Sequence, residues 1–183
     1  MKKLSIISKY KKGFTLIELL VVLGILGILA AALLAAINPV EQLKKAQDTS
    51  IKDLASNFVD ASVEYYSTHN ALPWFSAANG GTNCYAGGNT LSGIAVSSLA
   101  NCVTNFVSEG DLKASFTGSS NQSQIYVTNP NPQTGNASDV IVCFQPQSQS
   151  QQLDATTKYT QTGGAGASCK SQGGNTACYW CAQ

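Results

Sequence analysis

The sequence predicts an α+β protein: a long N-terminal helix, apolar in its first half and amphipathic in its second, packed by a small antiparallel sheet. Three observations carry that prediction. Residues Phe14 to Ile37 are apolar or small throughout, a run of 24 with a single charge, Glu18. From Val40 onward, Leu43, Ile51, Leu54, Phe58, Ala61 and Tyr65 recur mostly at three- and four-residue intervals, one apolar stripe of a helix. Beyond Pro73 the pattern gives way to short strand-like segments, loops rich in Gly, Asn and Pro, and all six cysteines.

The chain begins with a basic cluster, Lys2, Lys3, Lys9, Lys11 and Lys12, followed by Gly13 and the apolar run. At 1.5 Å per residue, 24 residues make about 36 Å of helix, enough to cross a hydrocarbon core of about 30 Å. The lysines hold the preceding segment in the cytoplasm by the positive-inside rule. A carboxylate inside such a span costs on the order of 2.5–3.5 kcal/mol at mid-helix and less near an interface, so Glu18 calls for a partner. A secretory signal places its small-residue cleavage site after the apolar stretch; here the glycine lies in front of it. Cleavage at Gly13 would leave the apolar helix attached, with a new amine four residues from Glu18. A neighbour shifted along the axis then brings its amine to this carboxylate and relieves both charges. The plain alternative is a signal anchor whose glutamate snorkels, which leaves the glycine and its spacing unexplained.

Gly24 and Gly27 suit close helix packing in a membrane. The expectation is one helix from 14 to about 70, with domains at 1–13, 14–37, 38–72 and 73–183. On the polar face of its second half, Glu41 with Lys45, Lys44 with Asp48, and Asp48 with Lys52 stand at i,i+4 as opposite charges. His69-Asn70-Ala71-Leu72-Pro73 ends the helix, Pro73 forcing Leu72 into extended geometry. In the head, 77–92 is a loop and 96–106 a short helix. Strands are expected at 124–128, 140–144 and 177–181, with a weaker one at 156–160. The sheet covers the amphipathic stripe. Tyr65, Tyr66, Trp74 and Phe75 form an aromatic cluster that packs helix against head, with a glycan or surface contact as the sharper reading.

An even number of cysteines in an exported, loop-rich segment implies disulfides. Cys84 with Cys102 is favoured, because it staples the loop after the helix, worth roughly 3 kcal/mol in the chain-entropy model. For the other four, Cys143 with Cys169 and Cys178 with Cys181 is one solution, and pairing across strands is another. Cys178-Tyr179-Trp180-Cys181 also has the spacing of a redox or zinc motif, but a redox pair opens a helix rather than closing a strand.

Composition narrows function. All 11 basic residues are lysines, against 10 acids, for a formal net charge of +1. Removing 13 residues and their five lysines leaves 6 lysines, a side-chain charge of −4, with no nucleic-acid site in view. His69 is the one histidine, no nucleophile has a histidine pair, and no phosphate-cradling glycine motif occurs. The expectation is no enzyme, no cofactor and no metal, Asp139 and Asp154 being isolated acids.

The segment Gly13-Phe14-Thr15-Leu16-Ile17-Glu18-Leu19-Leu20-Val21-Val22 resembles the signature of type IV prepilins and of the pseudopilins of type II secretion. The resemblance covers about Lys11 to Ala32 closely, and the helix to Pro73 more loosely. It implies a leader of residues 1–13, cutting between Gly13 and Phe14 by a prepilin peptidase, and N-methylation of Phe14. It implies that Glu18 pairs with a neighbour's N-terminal amine during assembly. It implies a ladle-shaped subunit that is a single-pass membrane protein first and part of an extracellular filament afterwards. Its partners would be copies of itself, the peptidase, an assembly platform and minor pilins. A pilus for surface attachment, motility or DNA uptake is the first reading; a pseudopilin of a secretion or competence machine is the alternative. In the family, helix is often lost between a glycine and a following proline on entry into the filament. Gly27 matches that glycine, but Ala35 stands where many members have proline, and the nearest proline is Pro39.

Overall fold

The computed structural model describes residues 13–36, 38–75, 84–88, 90–130 and 139–183. The lysine cluster, Ile37 and half of the loop expected at 77–92 lie outside the described residues. The chain divides into two units, Met1–Pro39 and Val40–Gln183.

The first unit holds α1, Leu16–Ala36. Its start is set by Thr15 and Glu18, which form a capping box across the first turn. Where one helix is expected, the structure has two: α2 runs Pro39–His69, and Asn38 lies in neither helix. The cause is Pro39. Its ring excludes the carbonyl four residues back and it has no N–H to give, yet its fixed φ suits the opening residue of a helix.

The second unit is built on α2, which ends where Asn70 takes φ 54° and returns its N–H to the Tyr66 carbonyl at 2.7 Å. Phe58 is at the centre of its buried face. It stacks on Trp74 at 6.3 Å between centroids, meets Phe106 edge-on at 5.4 Å and lies 6.2 Å from Phe116. Tyr65 and Trp74 are core residues and Tyr66 and Phe75 half-buried, so the aromatic cluster packs helix against head rather than offering a surface.

Four strands form one antiparallel sheet in chain order: β1 Leu91–Ala95, β2 Ile125–Asn129, β3 Ile141–Phe144 and β4 Trp180–Ala182. Leu91, Ile125, Val127, Val142 and Phe144 join the core with α2. β2, β3 and β4 overlap the expected strands, β4 starting three residues late, while β1 was not expected and its first two residues fall in the expected loop. It is short and bulged between Leu91 and Ile94, with Gly93 at φ 63°, so it shows no clean alternation. The expected helix at 96–106 is a 3-10 turn, Val96–Leu99, running into α3, Ala100–Glu109, which stops at left-handed Gly110. The weak strand at 156–160 contributes only Tyr159, bridged to Ala165 and to Tyr179.

The stripe on α2 needs correcting at its start. Ile51, Phe58, Ala61 and Tyr65 are buried, but Val40 and Leu43 are 59% and 66% exposed. What turns toward the head in the first turns is polar. Asp48 is fully buried, and the amides of Gln147 and Ser148 donate to its two oxygens at 2.9 and 2.7 Å. Glu41 Oε1 accepts from the Gln149 and Ser150 amides. Asp48 is therefore no exposed partner for Lys44 or Lys52; Lys52 instead places its ammonium 4.5 Å from the Trp180 ring.

The disulfides are Cys84–Cys102, Cys143–Cys181 and Cys169–Cys178. The first ties the chain after α2 to α3. The second joins residues directly opposed on β3 and β4. Of the two solutions left open for the last four cysteines, the sequential one is not adopted, and the C-x-x-C sulfurs part to different partners.

Candidate functional site

The candidate site is the N-terminal end of α1. Gly13, Phe14 and Thr15 precede the helix, and Glu18 sits in its first turn. The Thr15 amide and hydroxyl donate to Glu18 Oε2 at 3.0 and 2.9 Å, while the Glu18 amide donates to Thr15 Oγ1 at 3.2 Å. One carboxylate oxygen is thus held on the chain's own backbone, and the other has no partner among the described residues. Beside a helix N-terminus, a negative charge is also favoured by the dipole. The arrangement fixes where the carboxylate points.

Around it the helix is bare. Leu16–Leu34 is long and apolar enough to cross a membrane, with mean hydropathy 2.8 and none of it buried. Phe14 is 81% exposed. Gly24 and Gly27 face open space, so a close approach by another helix is sterically open there. Pro39 opens α2. The chemistry on offer is association and electrostatics: an uncovered apolar rod with one oriented anion near its end.

Thr15 is the residue that sequence reasoning missed here. Thr15-Leu16-Ile17-Glu18 has the spacing of a capping box, a signal readable without coordinates.

Residues 8–34 match the family model for the prokaryotic N-terminal methylation motif. The N-terminus carries that motif. The chain is 39% identical over 88 residues to a fimbrial protein of Neisseria meningitidis serogroup B, covering 48% of this chain and 43% of that one. It is 39% identical over 74 residues to the fimbrial protein EcpC of Eikenella corrodens, covering 40% of this chain and 47% of that one. The matched region thus spans less than half the length of these relatives. No solved structure matches the chain.

The cysteine candidates lie apart from this end, all six in the second unit and all in disulfides.

Proposed function

We propose that this chain is a pilin. Prepilin peptidase cuts it between Gly13 and Phe14 and methylates the Phe14 amine, and α1 then carries it into a type IV pilus for surface attachment, motility or DNA uptake. The observation that carries the reading is a lone, oriented carboxylate at the start of a wholly uncovered apolar helix, directly after the glycine of a methylation motif.

Before cleavage the lysines anchor residues 1–13 on the cytoplasmic side and α1 spans the bilayer. Cleavage turns the Phe14 nitrogen into a cation four residues before Glu18. Within one subunit, Thr15 already occupies one oxygen of that carboxylate. A neighbour's amine reaching the other oxygen gives a charge-assisted contact in a low-dielectric setting, offsetting the cost of holding either charge in hydrocarbon. Copies thereby stack with a fixed axial offset while their apolar faces cover one another. The peptidase, an assembly platform and minor pilins are the partners of this scheme, and the filament is extracellular.

Two variants test it. Glu18→Gln keeps an oxygen for the capping box, since glutamine serves there as glutamate does, but removes the charge. It should insert, be processed and fail to form filaments efficiently under the electron microscope. Normal pili from this variant would overturn charge pairing. Gly13 replaced by a bulkier residue should leave the 13-residue leader attached, read by mass; a mature N-terminus at Phe14 from that variant would count against the cleavage assignment.

A further inference from the structure

An open hollow of about 210 Å³ lies between α2 and the segment that follows α3. Its lining includes Leu54 and Asp60 from α2, and Asp111, Leu112, Lys113 and Phe116 from the segment. The volume is below the range of about 300–1,000 Å³ typical of drug-sized ligands, so an occupant must be small. Two carboxylates, one ammonium and an apolar floor meet in this space.

The segment is tied down by its backbone. The Gly110 N–H donates to the Val107 carbonyl at 3.2 Å and the Leu112 N–H to the Phe106 carbonyl at 3.1 Å. The Phe116 N–H closes a turn onto the Lys113 carbonyl at 2.9 Å. Leu112 and Phe116 are buried, and Leu54 is half-buried. The charged groups are less well provided for. Asp60 and Lys113 are exposed, while Asp111 is half-buried, with its Oδ2 out of solvent and accepting no hydrogen bond. Glu64 and Glu109 add negative charge around Asp111, and His69 opposes them. A carboxylate short of donors costs the fold stability, the pattern of a group kept for binding rather than for folding.

We propose that this hollow binds a free α-amino acid with an apolar side chain, its ammonium at Asp111 and Asp60, its carboxylate at Lys113 and its side chain on Leu54. The charge of a carboxylate is shared by both oxygens, so an ammonium in the hollow compensates Asp111 without having to reach Oδ2. Hydrogen bonds between ionised partners are the strong ones, and they gain further where the occupant displaces water. A plain amine would face the ammonium of Lys113 unmatched, and a plain carboxylate would face Asp60 and Asp111. An occupant carrying both signs meets all three. A hard cation needs several oxygen ligands, and no three acids, histidines or cysteines are grouped to hold a metal among the described residues. The segment is fixed before binding, which lowers the ordering cost. The hollow lies wholly in the second unit, so its occupancy does not depend on filament assembly.

The test is saturation-transfer NMR on the full chain in phosphatidylcholine nanodiscs, with empty nanodiscs as the blank. L-leucine should be held with a Kd on the order of 1 mM. L-leucinamide, which lacks the carboxylate, and isocaproate, which lacks the ammonium, should each bind about tenfold or more below it. Asp111→Asn should weaken both L-leucine and L-leucinamide. Lys113→Ala should weaken L-leucine about tenfold and leave L-leucinamide no weaker, a split that a merely structural lysine would not produce. Should Asp111→Asn disturb the fold, Asp60→Asn and Lys113→Ala carry the test, since both side chains are exposed. No retention of L-leucine at roughly 10 mM, equal retention of either analogue, or indifference to these substitutions overturns the proposal.

Discussion

Asp48 holds two consecutive amides of the chain after β3 and has no contact with solvent. Asp48→Ala would leave those N–H groups without acceptors, a loss on the order of 3 kcal/mol. Asp48→Asn would keep one acceptor and turn a donor toward the second amide, so it should also destabilise. Thermal unfolding of both variants checks this; an unchanged Tm would mean that the carboxylate does not hold the segment. Asp111 presents the opposite case. Its Oδ2 is out of solvent and accepts no hydrogen bond. Burial first, then the charges of Glu64 and Glu109, raise its carboxyl above the ordinary range, while His69 opposes them. Asp111 lines its surface hollow together with Asp60, Leu112, Lys113 and Phe116. A carboxyl raised in the fold binds its proton more tightly there than in the unfolded chain. This group's contribution therefore favours the fold below the unfolded value of about 3.9 and is lost as pH rises through the folded value. Asp111→Asn should accordingly raise Tm at pH 7, with the advantage fading toward pH 4; a variant less stable at both pH values would refute the sign.

Among the elements, α2 is the one on which the head is assembled. Phe58→Ala should cost about 3–5 kcal/mol, because Trp74, Phe106 and Phe116 all lose the same neighbour. Denaturant unfolding measures it, and a loss below 1 kcal/mol would remove Phe58 from the centre of the core. The periodicity of α2 was legible from Ile51 on because burial there follows hydrophobicity. It misled at Val40 and Leu43, where the covered face consists of carboxylates satisfied by backbone amides from residues more than ninety positions away. No local pattern contains that information. β1 was hidden for a related reason: a strand of five residues with a bulge at glycine has too little alternation to stand out, and its pairing with β2 is long-range. The capping box at Thr15 and Glu18 was fully local and readable, as was the proline that separates α1 from α2.

At the scale of the whole molecule, the chain combines an uncovered apolar helix with a head whose sheet and loops are held by three disulfides. The composition of the second half announced an oxidised, loop-rich head, but pairing among four cysteines is a property of the folded sheet. Cys143 and Cys181 meet because β3 and β4 are in register. Cleaving Cys84–Cys102 by a double Cys→Ser substitution should cost roughly 3 kcal/mol for its separation of 18 residues. Unfolding of that variant against the parent checks it, a difference near zero showing that the bridge is incidental. Mass before and after reduction should differ by six hydrogens; a smaller difference would leave a bridge unformed.

The carboxylates Glu41 and Asp48 stand two turns apart on one helix, about 10 Å along its axis, and grip four successive peptide groups. A pull directed along that axis loads both grips side by side, in shear. They must yield together rather than one after the other. Within the second unit, α2 and residues 147–150 are thus joined by a clasp that resists tearing along the helix.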